Sequence, residues 1–231
     1  MGETGVLLLL LQSGTIKVPM DLYPIHLHLQ GRRCLVVGGG SVAARKVAGL
    51  RAAGAVVLLV SPDAAPALQA MAEDGGIEWR REVYGTGHLD GVFLVMACTD
   101  DRAVNADVTR EASERNLLVL CADDPEAGSF VSPATVRRGG LLLTVSTGGA
   151  GPTLAAILRE GLEAEFGPEW AEMVAIIGAM REVVKTNPGE AARKAAVRRV
   201  LDDALVRDLL RAGQRLEAET RIRQCLSLSS E

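Results

Sequence analysis

The segment Gly38-Gly39-Gly40-Ser41-Val42-Ala43 has the spacing G-x-G-x-x-A, whose chemistry is the holding of a dinucleotide diphosphate. The first glycine permits a tight turn, and the second lets backbone N–H groups approach the diphosphate. The small third residue lets helix and strand pack closely. The anion would then sit at a helix N-terminus, where unpaired N–H groups and the helix dipole favour negative charge. Such a match carries weight only between a strand and a helix; elsewhere it is a structural glycine turn. An acid commonly ends the second strand of such a unit and binds the ribose 2′-hydroxyl. Here that strand ends in Ser61-Pro62-Asp63, with the acid displaced by a few positions and no arginine in its place to hold a 2′-phosphate. NAD is therefore expected over NADP.

Asp123 and Asp124 precede Pro125, and two readings stand side by side. Carboxylates at a strand end can do general acid/base work, while Asp before Pro also simply starts a turn. Thr147-Gly148-Gly149-Ala150-Gly151 before Pro152 is a second glycine loop. It is either another anion site at a helix start or a hinge between domains. The histidines, His26, His28 and His88, do not form a metal set, since a site needs three or four convergent ligands. His26 and His28 alternate along an apparent edge strand and His88 lies in a Gly-rich loop, so surface placement is expected for all of them. Arg137-Arg138 and the arginines between Arg181 and Arg215 read as a solvated face that could also supply local positive charge for an anionic substrate.

The elements that must position these residues follow from periodicity. Cys34–Val37, Val56–Val60, Val92–Ala97 and Leu117–Leu120 are short apolar runs with the look of buried strands. A weaker strand is expected around Ile77–Arg80. Helices are expected over Ser41–Ala53, from about Ala64 to Glu73, and from after Asp101 to about Arg115. Strands alternating with helices at this spacing imply a parallel sheet. Gly38–Gly40, Ser61–Asp63, Thr99–Asp101 and Asp123–Pro125 then share its carboxyl edge, where ligands bind in open α/β sheets. Thr99 joins the glycine turn as a candidate cofactor contact. After Phe130 the pattern changes. Gly140–Ser146 is an expected strand, Pro152 opens a helix with an apolar stripe at Leu154, Ile157, Leu158 and Leu162, and the chain beyond Gly167-Pro168 is expected to be helical with a break at Thr186–Gly189.

Composition excludes several classes. Hydrophobic residues make up 48% and charged residues 23% of the chain, which is neither disordered nor fibrous. Aromatics are only 3%, and a core of small aliphatics suits a sheet covered by helices. A formal charge of −4 argues against a general nucleic-acid partner. The apolar run Val6–Leu11, like every other in the chain, falls far short of the roughly 20 residues needed to span a bilayer, and no basic stretch precedes it, so neither a membrane partner nor a secretory signal is expected. Met20 stands just before the first recognisable element, and residues 1–19 are expected to be a disordered extension outside the fold. The four cysteines, Cys34, Cys98, Cys121 and Cys225, lack C-x-x-C spacing, which points to a reducing cytoplasm.

Four segments in order resemble the siroheme synthase family: Val36–Lys46, Ala97–Asp101 with Asn105, Asp123–Phe130 and Val145–Gly149. In that family they belong to the precorrin-2 dehydrogenase/sirohydrochlorin ferrochelatase module. The resemblance is strong from about Met20 to Leu162 and loose over the helical tail. It implies an α/β fold: a Rossmann-type parallel sheet over residues 20–132, a middle dimerisation segment over 133–166 and a C-terminal helical domain over 167–231. It also implies NAD-dependent oxidation of precorrin-2, a tetrapyrrole, to sirohydrochlorin by a homodimer. Insertion of ferrous iron as a co-substrate follows in some members and not in others. The family's essential aspartate falls on Asp123, and its NAD contacts fall on Ser41, Val42, Pro62 and Asp63. Arg137, Arg138 and the Ser146-Thr147-Gly148-Gly149 loop become candidate contacts for the substrate's carboxylates. Many relatives have two serines where this chain has Ser146-Thr147, which preserves a hydroxyl but not a serine. The chain is expected to lack the methyltransferase module that some relatives carry.

Two rivals differ in class. A non-catalytic NAD-sensing module would need the glycine turn but no carboxylate at a strand end. A short-chain reductase would need Tyr-x-x-x-Lys, and neither Tyr23 nor Tyr84 has a lysine four residues on.

Overall fold

A computed structural model describes residues 21–227. The expected extension at residues 1–19 and the last four residues lie outside the described part. The chain divides into two compact units, residues 22–132 and the residues from Pro133 onward.

The first unit alternates strand and helix in the order read from the sequence: β1 Arg33–Val37, α1 Ser41–Ala52, β2 Val56–Val60, α2 Pro66–Glu73, β3 Glu78–Arg80, a 3-10 turn at Thr86–Leu89, β4 Leu94–Ala97, α3 Arg102–Glu114 and β5 Leu118–Cys121. The strands form one sheet in the order β3-β2-β1-β4-β5, parallel at every pairing. The crossovers go one way from β1 to β2 and β3, and the other way to β4 and β5. The strand order therefore switches between β1 and β4, the place where such sheets bind ligands.

Side-chain alternation explains why both faces of the sheet are dry. Cys34 and Val36 of β1 point into one core with Val47 and Leu50 of α1 and Leu68 of α2. Leu35 and Val37 point into the other with Val108 and Ala112 of α3. A parallel strand covered on both sides must read as a continuous apolar run, and Cys34-Leu35-Val36-Val37 does. Each aliphatic side chain buried in this way contributes about 1.5–3 kcal/mol.

The second unit starts with an antiparallel hairpin, β6 Ala134–Arg138 and β7 Leu141–Val145, closed by Gly139-Gly140. Helix α4, Pro152–Glu165, packs on both strands. Arg138 ties hairpin to helix: its Nε donates to the Phe166 carbonyl at 2.9 Å and an Nη to the Glu163 carbonyl at 3.3 Å. The last carbonyls of a helix lack intrahelical donors, and a cationic side chain there satisfies them. Helices α5 Glu169–Ala179, α6 Arg181–Lys185, α7 Gly189–Asp202, α8 Ala204–Arg211 and α9 Arg215–Ser227 follow. Their core joins Met173, Ile176 and Met180 to Val200, Val206, Ile222 and Leu226. Asp203 organises the turn between α7 and α8. It caps α8 through the Leu205 N–H at 3.1 Å and accepts from Arg221 Nε of α9 at 2.7 Å.

Three local readings need correction. The segment carrying His26 and His28 is not an edge strand: residues 21–29 have no regular structure, and the sheet edges are β3 and β5. The alternation of apolar residues there is not matched by pairing with any strand of the sheet. Strand β6 went unread because Ala134-Thr-Val-Arg-Arg138 has one buried aliphatic, Val136, among polar neighbours. Finally, the helical region breaks at Met180, Asp203 and residues 212–214 as well as at the expected 186–188.

Candidate active site

Three strand ends are laced together by main-chain hydrogen bonds. The Gly38 N–H donates to the Val60 carbonyl at 3.0 Å, and the Cys98 N–H to the Val37 carbonyl at 2.8 Å. Gly38 has a φ of +114° and its α-carbon lies so close to β4 that a Cβ would fall 2.5 Å from the Cys98 carbonyl oxygen. Only glycine fits both constraints. At Gly39 the constraint is proximity: a Cβ would collide with the Asp63 carbonyl oxygen. The Gly39 carbonyl in turn accepts the Ala65 N–H at 2.8 Å, which docks the Pro62-Asp63 turn against the glycine turn.

Gly40 differs from both. Its backbone is ordinary extended chain (φ −81°, ψ −173°) and it caps α1 without any side chain bonding the helix start. A Cβ on Gly40 would meet nothing within 4 Å. The glycine with no neighbour is the one at the position where a diphosphate approaches, and the helix behind it presents an uncapped N-terminus. Ser41 is exposed and Val42 half-buried beside it, while Ala43, at the small third position, is fully buried. These residues fit a dinucleotide.

On the ribose side, Pro62 and Asp63 are exposed at the end of β2. The Trp79 indole N–H donates to the Ser61 carbonyl at 3.0 Å and steadies this turn. Arg80 and Arg81 follow on the neighbouring β3, but Arg80 pairs with Glu78 at 3.0 Å and the Arg81 guanidinium stacks 4.2 Å over the Trp79 ring.

The same edge carries Asp123. The Ala122 N–H donates to the Ala97 carbonyl at 3.0 Å, and the Ser129 hydroxyl accepts the Val119 N–H at 2.9 Å; together they fold the 122–129 loop back onto β5. Asp123 Oδ1 accepts from Asn105 Nδ2 at 2.7 Å and from the Cys121 thiol at 3.3 Å. Arg102 Nε lies 3.8 Å from the other oxygen, with the arginine 90% and the aspartate 29% exposed. Desolvation alone would raise the carboxyl pKa. The hydrogen bonds from Cys121, Asn105 and its own backbone N–H, with the Arg102 charge, outweigh that and hold it below the ordinary value of 3.8. Asp123 is thus a carboxylate at neutral pH. It opens into a cleft of about 230 Å³ lined by Arg102, Ala106, Cys121, Asp123, Asp124 and Ala127. Cys98, by contrast, is a thiol: burial, foremost, pushes its pKa up to about 11.

Thr99 sits between the two sites. Its N–H and hydroxyl both lie within hydrogen-bond distance of Asn105 Oδ1 (3.0 and 2.8 Å), and its carbonyl accepts from Asn105 Nδ2 at 3.0 Å. All of its polar groups are therefore engaged within the turn.

The other expected substrate residues belong to the second unit. Thr147 Oγ1 accepts the Gly151 N–H at 3.1 Å, and Ser146 Oγ accepts the Gly148 N–H at 3.3 Å. Gly148 and Gly149 have φ values of +58° and +83°. Arg137 is exposed, whereas the Arg138 guanidinium is committed to α4 as described above. His26 and His28 are exposed. His88 is not a surface group: its ring is 11% exposed, with Nε2 3.0 Å from Glu82 and Nδ1 bonded to Gly85. Among the described residues no three or more His, Cys, Asp or Glu side chains are gathered as metal ligands. No helix among them is long and apolar enough to cross a membrane.

Sequence reasoning left Arg102 and Asn105 without a role. Arg102 carries no signal. Asn105 does: it occupies a core-facing position of α3 with Val108, Thr109 and Ala112, and an amide in a buried stripe must be fully hydrogen-bonded.

The family described as "Putative NAD(P)-binding" matches residues 25–134, and "Sirohaem biosynthesis protein central" matches 138–165. Siroheme synthase of Photorhabdus laumondii subsp. laumondii is 42% identical over 166 residues, covering 72% of this chain and 35% of that protein. Siroheme synthase of Sodalis glossinidius is 38% identical over 215 residues, covering 92% of this chain and 45% of that one. This chain thus spans between about a third and just under half the length of these relatives. The solved structure described as "SirC, precorrin-2 dehydrogenase" superposes with a TM-score of 0.66 at 26% identity, covering 88% of this chain and 100% of that one. With an NAD-binding Rossmann domain followed by the sirohaem-biosynthesis central segment, the chain belongs to the siroheme synthase family.

Proposed function

We propose that the chain oxidises precorrin-2 to sirohydrochlorin with NAD as acceptor. The observation that carries this reading is an ionised carboxylate, Asp123, opening into a cleft on the same sheet edge as the glycine turn. The likeness to the precorrin-2 dehydrogenase structure supports it. NAD bound at Gly38–Gly40, Ser41 and Val42, with its ribose beside Pro62 and Asp63, supplies a hydride acceptor. The macrocycle loses two electrons as hydride and one proton, and Asp123 is the group that takes the proton. Its low pKa keeps it in the accepting form throughout the neutral range, at some cost in driving force. Ser146, Thr147, Gly148, Gly149 and Arg137 receive the substrate's carboxylates; Arg138 holds the segment that presents them.

The test is an anaerobic assay with purified protein and precorrin-2, run with NAD and NADP side by side and followed by absorbance. NAD supports turnover and NADP does so poorly, because the end of β2 offers a carboxylate and the nearby arginines are engaged. No turnover with either cofactor, despite NAD binding, returns the chain to a sensing role. Adding ferrous iron as co-substrate decides whether the chain also inserts the metal, a step that displaces two pyrrole protons, of which Asp123 would accept one and solvent the other. The four cysteines, all buried and unpaired, support a cytoplasmic setting.

The active form we infer is a homodimer joined through the second unit. Leu154, Ile157 and Leu158 of α4 are 53%, 58% and 47% exposed, and an apolar stripe of this kind on a small unit marks association. Sedimentation is expected to give a dimer for the native chain and a monomer for Ile157→Glu. A native monomer at micromolar concentration, fully active, overturns the assignment.

A further inference from the structure

Asn105 is 1% exposed on α3, and every hydrogen-bonding position of its side chain is engaged across 18 residues of sequence. Oδ1 takes the Thr99 N–H (3.0 Å) and lies 2.8 Å from the Thr99 hydroxyl, whose one hydrogen it shares with the Asp101 carbonyl (2.9 Å), and Nδ2 gives one hydrogen to the Thr99 carbonyl (3.0 Å) and the other to Asp123 Oδ1 (2.7 Å). The Thr99 N–H can bond only to the amide oxygen, so the amide cannot flip: the nitrogen must face Asp123. Its own backbone is held in place as well, since the Thr109 hydroxyl donates to the Asn105 carbonyl at 2.7 Å. One rigid side chain therefore joins the turn after β4, beside the glycine turn, to the carboxylate after β5.

We infer that Asn105 is a positioning residue that couples the cofactor-side Thr99 turn to Asp123 and keeps that carboxylate ionised and aimed into the cleft. This rests on the reading of Asp123 as proton acceptor. The groups that face Asp123 are the Cys121 thiol on β5, the Arg102 guanidinium and Asn105 amide on α3, and the Cys98 thiol at the end of β4. Of these only Asn105 is both buried and shared with the Thr99 turn. A structural role alone would make Asn105 matter for stability; a positioning role makes it matter for the protonation of Asp123.

Asn105→Asp is nearly isosteric and keeps the acceptor for Thr99, but replaces the donor to Asp123 with a second carboxyl oxygen. Two carboxylates at hydrogen-bond distance share a proton, so the acid limb of the kcat/KM–pH profile is expected to move up by about one unit or more. NAD affinity, titrated directly, is expected to weaken as the Thr99 turn loses its donor. Thr109→Val is the structural control: it removes a neighbouring buried hydrogen bond, lowers the melting temperature and leaves the acid limb in place. Asn105→Ser gives a reading independent of turnover. Without the amide donor, the Asp123 carboxyl, followed by carbon-13 NMR in labelled protein, titrates at higher pH than in the native chain. If the Asn105 variants lose stability like Thr109→Val while limb and carboxyl titration stay put, the inference is overturned. If Asp123→Asn is itself fully active, the base assignment fails. The carboxyl titration then still decides whether Asn105 sets the ionisation of Asp123.

Discussion

Asp123→Asn is expected to lower the dehydrogenase rate by roughly 10²–10⁴, the usual contribution of a positioned general base. The substitution preserves size and leaves the loop anchored by Ser129 and Ala122, so the fold is retained. It removes the proton acceptor and sets an amide against Asn105 Nδ2, a donor at 2.7 Å in the native chain, which the amide oxygen can still accept. NAD affinity changes little, because the glycine turn holds the nucleotide. Asp124→Asn is the control: Asp124 lines the same cleft but has no hydrogen bond from Asn105 or Cys121, and its loss costs much less. Single-turnover absorbance with NAD separates the two variants. Near-native rates for both would reduce Asp-Asp-Pro to a turn, and a larger loss at Asp124 would move the acid by one residue. The pH dependence has a definite sign. Asp123 acts when ionised and its pKa lies below the ordinary 3.8. The native rate should therefore hold as pH falls through the usual carboxylate range and fail only below it.

Gly40→Leu is expected to weaken NAD binding by at least about 100-fold, equivalent to about 2.8 kcal/mol, with the melting temperature essentially unchanged. The φ of −81° is open to any residue and a Cβ meets nothing within 4 Å, so the folded chain accommodates the side chain. Losing a glycine's freedom in the unfolded state even favours folding slightly. What the leucine obstructs is the approach of a diphosphate to the start of α1. Gly38→Ala provides the contrast. At φ +114°, with the Cys98 carbonyl 2.5 Å from the new Cβ, it should lose the fold and the nucleotide together. Calorimetric titration with parallel thermal melts distinguishes the two outcomes. Undiminished NAD affinity in a folded Gly40→Leu protein would remove the dinucleotide from this turn.

Much of the first unit was legible because its signals are local. Runs such as Cys34–Val37 and Val56–Val60 need cover on both faces, and the glycine, proline and aspartate residues between them mark where each strand must stop. The carboxyl-edge placement of Gly38–Gly40, Asp63, Thr99 and Asp123 follows from that alternation alone. The same local logic misread His26 and His28, since an alternating stretch becomes a strand only where it pairs with a neighbouring strand, and residues 21–29 pair with none. It also passed over β6, whose side chains are mostly solvated.

By itself, then, the sequence determined the order of elements, the glycine turn and the placement of an acidic pair, Asp123-Asp124, after β5, all properties of short stretches of chain. Only the tertiary structure decided which partners those residues meet. Asn105 reaches Asp123 from 18 residues away, Arg102 stands beside it in the cleft, Arg138 turns to the end of α4, and Gly40 alone of the three glycines faces open space. The physical reason is that hydrogen bonding, burial and charge act through space. A residue's type sets what it can donate, accept or fill, and the packing of distant segments sets what it does.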